Sequence, residues 1–260
     1  MTTKIPAELS STPGIADSSN ATAITIDSSE NVGIGETSPD LKLHIKSSGQ
    51  IAKLETTAST GDCILTFADA AANKAFVGFG SSSSELFQIS NVENGDMKFD
   101  TNNTERMRIT SAGNITKPDN CSFSAKHSTT VSNFSIGSYV QVPFDTEIYD
   151  NGGNLASTGT FTAPVTGRYL LCATVRFGSV DASATYSRII IATSNRSYQG
   201  TLLDHSTVFS GDADYHVYFA HFIADMDAND TANVSFYQLG GAAQADLAGD
   251  ESFFQGELIG

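Results

Sequence analysis

Residues 168–177 read RYLLCATVRF. Tyr169, Leu171, Ala173, Val175 and Phe177 fall on one face of an extended chain. Leu170, Cys172, Thr174 and Arg176 fall on the other. This period of two is the signature of a β-strand with one face in a core. Three further strands follow: TYSRIIIAT (185–193), YHVYFAHFIA (215–224) and ANVSFYQLG (232–240). Each is bounded by Gly, Asp, Asn or Ser, which are turn residues. In YHVYFAHFIA both faces are largely apolar or aromatic, as in a strand lying between two buried layers. In a sandwich, the second of those layers can be a subunit interface. Many short strands with such turns predict a β-sandwich or jelly roll.

Upstream the pattern is that of hairpins. ITIDSSENVGIG (24–35) and MRITSAGNI (107–115) each give a short alternating run, a Ser/Gly/Asn turn and a return to apolar residues. A hairpin of this size cannot bury its own apolar face. Two copies are too few for a solenoid, so the missing neighbours are other chains. Short strands are expected at IAKLE (51–55), CILTF (63–67), KAFVGFG (74–80), LFQIS (86–90) and DMKFD (96–100), with at most a helical turn at DAAANK (69–74). Residues 1–22 carry Pro, Gly, Ser and Thr without periodicity and read as an extended tail. All eight lysines lie at or before Lys126, and the rest of the chain uses only arginine. That break suggests two modules joined near KPDN (117–120). The expected organisation is an extended anchor (1–22), a β-hairpin stem (23–50), a small intertwined β domain (51–116), a linker (117–122) and a jelly-roll head (123–260).

At 40% apolar residues, the chain of 260 has enough material for a core. Its apolar runs fall far short of the roughly 20 residues that cross a bilayer, so no membrane insertion is expected. MTTKIPAELSS lacks the apolar stretch of a secretory signal. Cys63, Cys121 and Cys172 are an odd number at wide spacing, read as free thiols of a protein made in a reducing cytoplasm. A net charge of −15 repels phosphate backbones, so nucleic acid is not an expected partner.

Catalytic signals are poor, and no enzyme activity is expected. GIGETS (33–38) lacks the third Gly and the following helix of a dinucleotide loop. No GxSxG elbow occurs. His216 and His221 are five apart on a strand and point to opposite faces, so they cannot share a metal. His44, His127 and His205 are isolated, and all five histidines read as packing or surface residues. DMDAND (225–230) lacks the Gly and the bidentate Glu of a calcium loop and reads as a turn.

Two resemblances carry further. KIPAELSSTPGIADSSNATAITIDSSENVGIG, LKLHIKSSG and NNTERMRITSAGN resemble segments of tail fibres and fibre-like proteins of marine tailed bacteriophages. VPFDTEIYDNGGN, TGTFTAPVTGRYLL, ATSNRSY and ADMDANDTANVSFYQLGG resemble a head similar to complement component one q and the tumour-necrosis-factor superfamily. In that head the FxAPVxGxY pattern is held by Phe161, Ala163, Pro164, Val165, Gly167 and Tyr169, and SFFQGELIG matches the closing strand. Together they imply an all-β homotrimer with a ten-strand jelly-roll head and both head termini at its base. They imply a structural virion fibre for adhesion to the bacterial host, with the tail or another virion structural protein as its partner at the N-terminus. A surface glycan or protein is the implied receptor. A capsid-attached decoration fibre and a glycan-depolymerising tailspike are the alternatives; the about 5–10 Å carboxylate spacing of the latter is tertiary and not legible in sequence. Lys4, Ile5, Pro6, Leu9, Pro13 and Ile15 are the expected anchor contacts. With the chain ending at the base, and each turn reversing direction, loops 178–185, 209–214 and 240–251 gather at the far end. Asp181, Ser183, Asp212, Asp214, Gln244, Asp246, Asp250 and Glu251 are therefore the expected receptor-binding residues. No cofactor is required, although Asp181, Asp212, Asp214 and Asp246 could offer oxygen ligands to calcium.

Overall fold

The structure, a computed structural model, describes residues 14–16, 22–57, 62–79 and 86–260. It divides into two compact units, Met1–Gly95 and Asp96–Gly260. The expected anchor residues Lys4, Ile5, Pro6, Leu9 and Pro13 lie outside the described residues. Ile15 lies in a short strand, paired with Ile24.

The first unit holds two small sheets. Strands β1 (Gly14–Ala16), β2 (Thr22–Ile26), β3 (Val32–Ile34) and β4 (Leu43–Ile45) form one in chain order. The β2–β3 hairpin is the one read from ITIDSSENVGIG. Its turn is built on Asp27, whose carboxylate accepts from Ser29 N (2.8 Å) and Asn31 N (2.9 Å). These bonds, that to Asn31 foremost, hold the Asp27 carboxyl below its ordinary range. The left-handed position falls on Glu30 (φ 60°) rather than on Asn31. β4 joins β3 in parallel. The connecting loop is clamped by Lys46 Nζ donating to Glu36 Oε2 at 2.7 Å, and this lysine is the main reason that Glu36 is lowered to about 2. GIGETS therefore leads into a loop and no helix. β5 (Cys63–Ala68), β6 (Asn73–Phe79) and β7 (Phe87–Asn91) make an antiparallel meander. DAAANK is a turn in which Asp69 accepts from Ala71 N and Ala72 N. IAKLE is not a strand: it finds no ladder partner in this unit, and Ile51 and Leu54 stay exposed.

The second unit opens with a meander of β8 (Met97–Thr101), β9 (Thr104–Ile109) and β10 (Ile115–Thr116). MRITSAGNI is its β9–β10 hairpin, closed by Gly113 N donating to Thr110 O (2.8 Å) with Gly113 at φ +84°. The sandwich follows. Its strands are β11 (Ser122–Lys126), β12 (Val140–Gln141), β13 (Thr146–Asn151), β14 (Phe161–Thr162), β15 (Gly167–Val180), β16 (Tyr186–Thr193), β17 (Ser197–Asp204), β18 (Ala213–Met226), β19 (Thr231–Leu239), β20 (Asp246–Leu247) and β21 (Phe253–Leu258). A single helical turn, α1 (His205–Val208), precedes β18. One sheet runs β13-β11-β21-β15-β18 with β20 on β15, and the other runs β12-β19-β16-β17 with β14 on β19. The closing strand lies between the first and third long strands, the interleaving of a jelly roll.

The core lies between these sheets. Tyr169, Leu171, Ala173, Val175 and Phe177 all point into it, as their alternation predicts. Phe161 stacks on Phe123 at 4.7 Å and lies 5.4 Å from Tyr169, whose hydroxyl donates to Val165 O at 2.7 Å. Ala163 exchanges backbone bonds with Asp230 and Asn229 at 2.8 Å. The FxAPVxGxY pattern thus pins one end of the sandwich. At that end Leu258 N donates to Cys121 O and Arg168 N to Gly260 O, so the head's entry and its last residue lie side by side. DMDAND is a turn here, with Asp230 accepting from Ser194 Oγ (2.6 Å) and Asp227 N (2.8 Å). Within one chain β18 has only one buried face. Tyr218, Ala220 and Ala224 point inward, while Phe219 (49% exposed) and Ile223 (58%) point outward with Val217 and His221. All three cysteines are free, and burial, its largest cause, pushes the Cys121 and Cys172 thiols up.

Candidate functional site

The opposite end of the sandwich gathers loops 181–185, 205–212 and 240–252. β15 is 14 residues long, which sets the two ends roughly 40 Å apart. Two aspartates tie these loops together. Asp181, 4% exposed, accepts from Ser183 N at 2.7 Å and from Ala242 N. Asp212 accepts from Ala182 N (3.0 Å) and Gln244 Nε2 (2.8 Å). Burial works to raise the Asp181 carboxyl, but the bonds from Ala242 and Ser183 outweigh it, and the net shift is downward.

Beneath them lies a buried chain of polar groups. His205 Nδ1 is 2.6 Å from Asp181 O, His205 Nε2 is 2.6 Å from Ser187 Oγ, and Ser187 Oγ is 2.5 Å from Tyr218 OH. A carbonyl only accepts, so Nδ1 carries the proton and Nε2 accepts from Ser187, which in turn accepts from Tyr218. Burial pushes Tyr218 up to about 12. Ser187 and His205 are both wholly buried, so this pair fixes the loops and meets no ligand.

Three of the remaining expected residues, Asp214, Asp246 and Glu251, line an open cavity of about 540 Å³. Arg176, Ser179, Asp214, Tyr215, Asp246 and Glu251 form its walls. Arg176 pairs with Glu251 and lies 4.0 Å from the Tyr215 ring centre. Asp246 accepts from Asn133 N (3.0 Å) and Ser179 Oγ (3.2 Å). Asp250 Oδ1 accepts from Lys126 Nζ at 2.5 Å. The structure therefore splits the expected residues. Asp181, Ser183, Asp212 and Gln244 are loop fasteners. Asp214, Asp246 and Glu251 face the cavity, and Asp250 sits beside Lys126. The four aspartates considered for calcium do not converge, because the carboxylates of three are taken up by N–H and O–H donors from different loops. Among the described residues, no three His, Cys, Asp or Glu side chains are grouped to hold a metal.

Sequence reasoning missed the cations and the ring. Arg176 and Lys126 bring positive charge into an end read as acidic alone, and Tyr215 (66% exposed) offers a flat apolar face. The signal for Arg176 was present: it stands on the outward face of RYLLCATVRF, nearest the far end. Carboxylates, a guanidinium and an exposed tyrosine in one polar depression suit a ligand rich in hydroxyls, since they accept, donate and stack at once.

No protein-family model and no curated protein matches this chain. Among solved structures it is similar to the globular domain of zebrafish complement 1qA protein, at 16% identity and TM-score 0.39, over 54% of this chain and 98% of that one. It is similar to murine APRIL at 14% identity and TM-score 0.39, again over 54% and 98%. Eiger TNF from S. frugiperda aligns at 15% identity and TM-score 0.37, over 55% and 94%. Likenesses of this size say nothing of what the chain binds.

Proposed function

We propose that this chain is a homotrimeric virion fibre of a tailed bacteriophage, made in the host cytoplasm, whose head attaches to the bacterial surface. In this reading residues 1–22 dock on the tail or another virion protein. Residues 23–116 of three chains intertwine as a stem, and 123–260 form the head. The observation that carries assembly is the position of the core: among the described residues, the whole buried hydrophobic core lies at or beyond Cys121. Before it, Leu41, Leu43, Leu65, Phe67, Phe87 and Ile89 are exposed in the single chain. Each, already partly covered, would gain about 1–1.5 kcal/mol on full burial, and in this reading neighbouring chains supply it. The outward face of β18 is the matching surface on the head, continued across β15 by Leu170 and Cys172. That three chains assemble, and that they do so on a virion, rests on the resemblance of the quoted segments to fibres.

Attachment is assigned to the loop-end cavity. Asp181 and Asp212 are excluded from the test because they fasten loops. A variant carrying Asp214→Asn and Tyr215→Ala should assemble as the parent does and lose adsorption to host cells. Undiminished adsorption by that variant would remove the cavity from the contact surface.

A further inference from the structure

The outward face of the second sheet carries a group of side chains that the loop-end cavity does not use. β12, β19 and β16 set Tyr139, Tyr237 and Arg188 in one row, with Tyr237 opposite Arg188 and Val140 opposite Phe236. The Tyr139 and Tyr237 ring centres are 5.1 Å apart, and Tyr186 lies 5.8 Å from Tyr237. The Arg188 guanidinium carbon is 5.2 Å from the Tyr139 ring centre, 5.6 Å from Tyr237 and 5.7 Å from Tyr186. Its Nη1 donates to the neutral Gln199 Oε1 at 3.0 Å, while its Nε is buried without a hydrogen-bond partner.

The charge pattern points to a ligand. The chain has 29 acids against 14 bases, and Arg106, Arg108 and Arg176 each take a carboxylate; among the described residues Arg168, Arg188 and Arg196 take none, and of these Arg188 alone has three tyrosine rings around it. Arg188 is set against rings and an amide instead. Half-burying a cation costs free energy that rings and one neutral amide repay only in part. Three rings stand within 5.7 Å of the guanidinium carbon and Nη1 reaches Gln199, while Nη2 takes no hydrogen-bond partner among the described residues and leaves the terminal edge of the fork able to donate. That edge matches a carboxylate with two parallel N–H donors. Tyr139, 46% exposed, presents a flat face beside it, and Gln199 adds an amide.

We propose that this patch binds an acidic saccharide, its carboxylate on Arg188 and its sugar ring on Tyr139. The site lies on a sheet face and not among the end loops. It stands independently of the virion reading, since it requires only the folded head.

The test titrates the full chain with an oligogalacturonate and, separately, with a neutral galactose oligomer, by calorimetry. The chain has no tryptophan, so tyrosine emission gives a second readout. The oligogalacturonate should bind and the neutral oligomer at least about tenfold more weakly. Arg188→Gln should cost about tenfold or more, as loss of a charged hydrogen-bond pair does. Tyr139→Ala, at an exposed ring, should weaken binding with the melting temperature unchanged. Asp214→Asn, in the end cavity, should leave it as it was. Absence of oligogalacturonate binding, equal binding of the neutral oligomer, or binding that survives both Arg188→Gln and Tyr139→Ala would overturn the proposal. Assembly mass and host-cell adsorption do not enter these outcomes, so failure here leaves the fibre reading standing.

Discussion

Asp181 shows how single residues organise the loop end. Its folded-state carboxyl lies below the ordinary 3.8, so the folded protein binds its proton less readily than the unfolded chain. The stability it contributes is complete above about pH 3.8 and is lost as pH falls through the folded value. Asp181→Asn should cost about 1–2 kcal/mol at neutral pH, because two part-buried N–H groups lose a charged acceptor. It should also flatten the acid limb; urea midpoints measured from pH 7 to 2.5 check both. Ser187→Ala should cost a similar about 1–3 kcal/mol by orphaning His205 Nε2 and Tyr218 OH in the core. At this scale the sequence was a partial guide. It placed Asp181, Asp212 and Asp246 at one end and read His205, with the other histidines, as a packing or surface residue. It could not say that Asp181, Asp212 and Asp246 would be consumed by loop N–H and O–H donors, because those donors come from segments up to 113 residues away.

Elements were legible where the chemistry is local. RYLLCATVRF gave its buried face by alternation, and both hairpins gave theirs by turn residues. The parallel pairing of β4 with β3 was not legible, because alternation marks the faces of a strand and not its partner or direction. The strand expected at IAKLE failed for the converse reason: alternation proposes a strand, but a neighbour must complete it. In the closing strand β21, Gly256 is required by space. A Cβ there would stand 2.6 Å from the Phe123 ring and 2.8 Å from Leu171. Gly256→Val should therefore destabilise the head by about 1–3 kcal/mol, read as a lower urea midpoint. Because the core lies within the second unit, a fragment of residues 96–260 should melt cooperatively. A fragment of residues 1–95 should show no cooperative transition on its own.

As a whole molecule, one chain is incomplete. Among the described residues the first unit has strands and ladders but no hydrophobic core, while the head has a core and still leaves Phe219 and Ile223 bare. Alternation in YHVYFAHFIA registered two apolar faces, and which one a single chain buries became clear only from the packing. Phe222 packs against the core beside Tyr198, and Phe219 faces out. Phe219→Asp should thus spare the fold and prevent assembly, since an unpaired charge would enter an apolar contact. The most direct measurement is the mass of the full chain in solution at micromolar concentration, by light scattering behind size exclusion. The account predicts a single species of about three times 27.4 kDa, reduced by Phe219→Asp. A folded monomer of 27.4 kDa would contradict it.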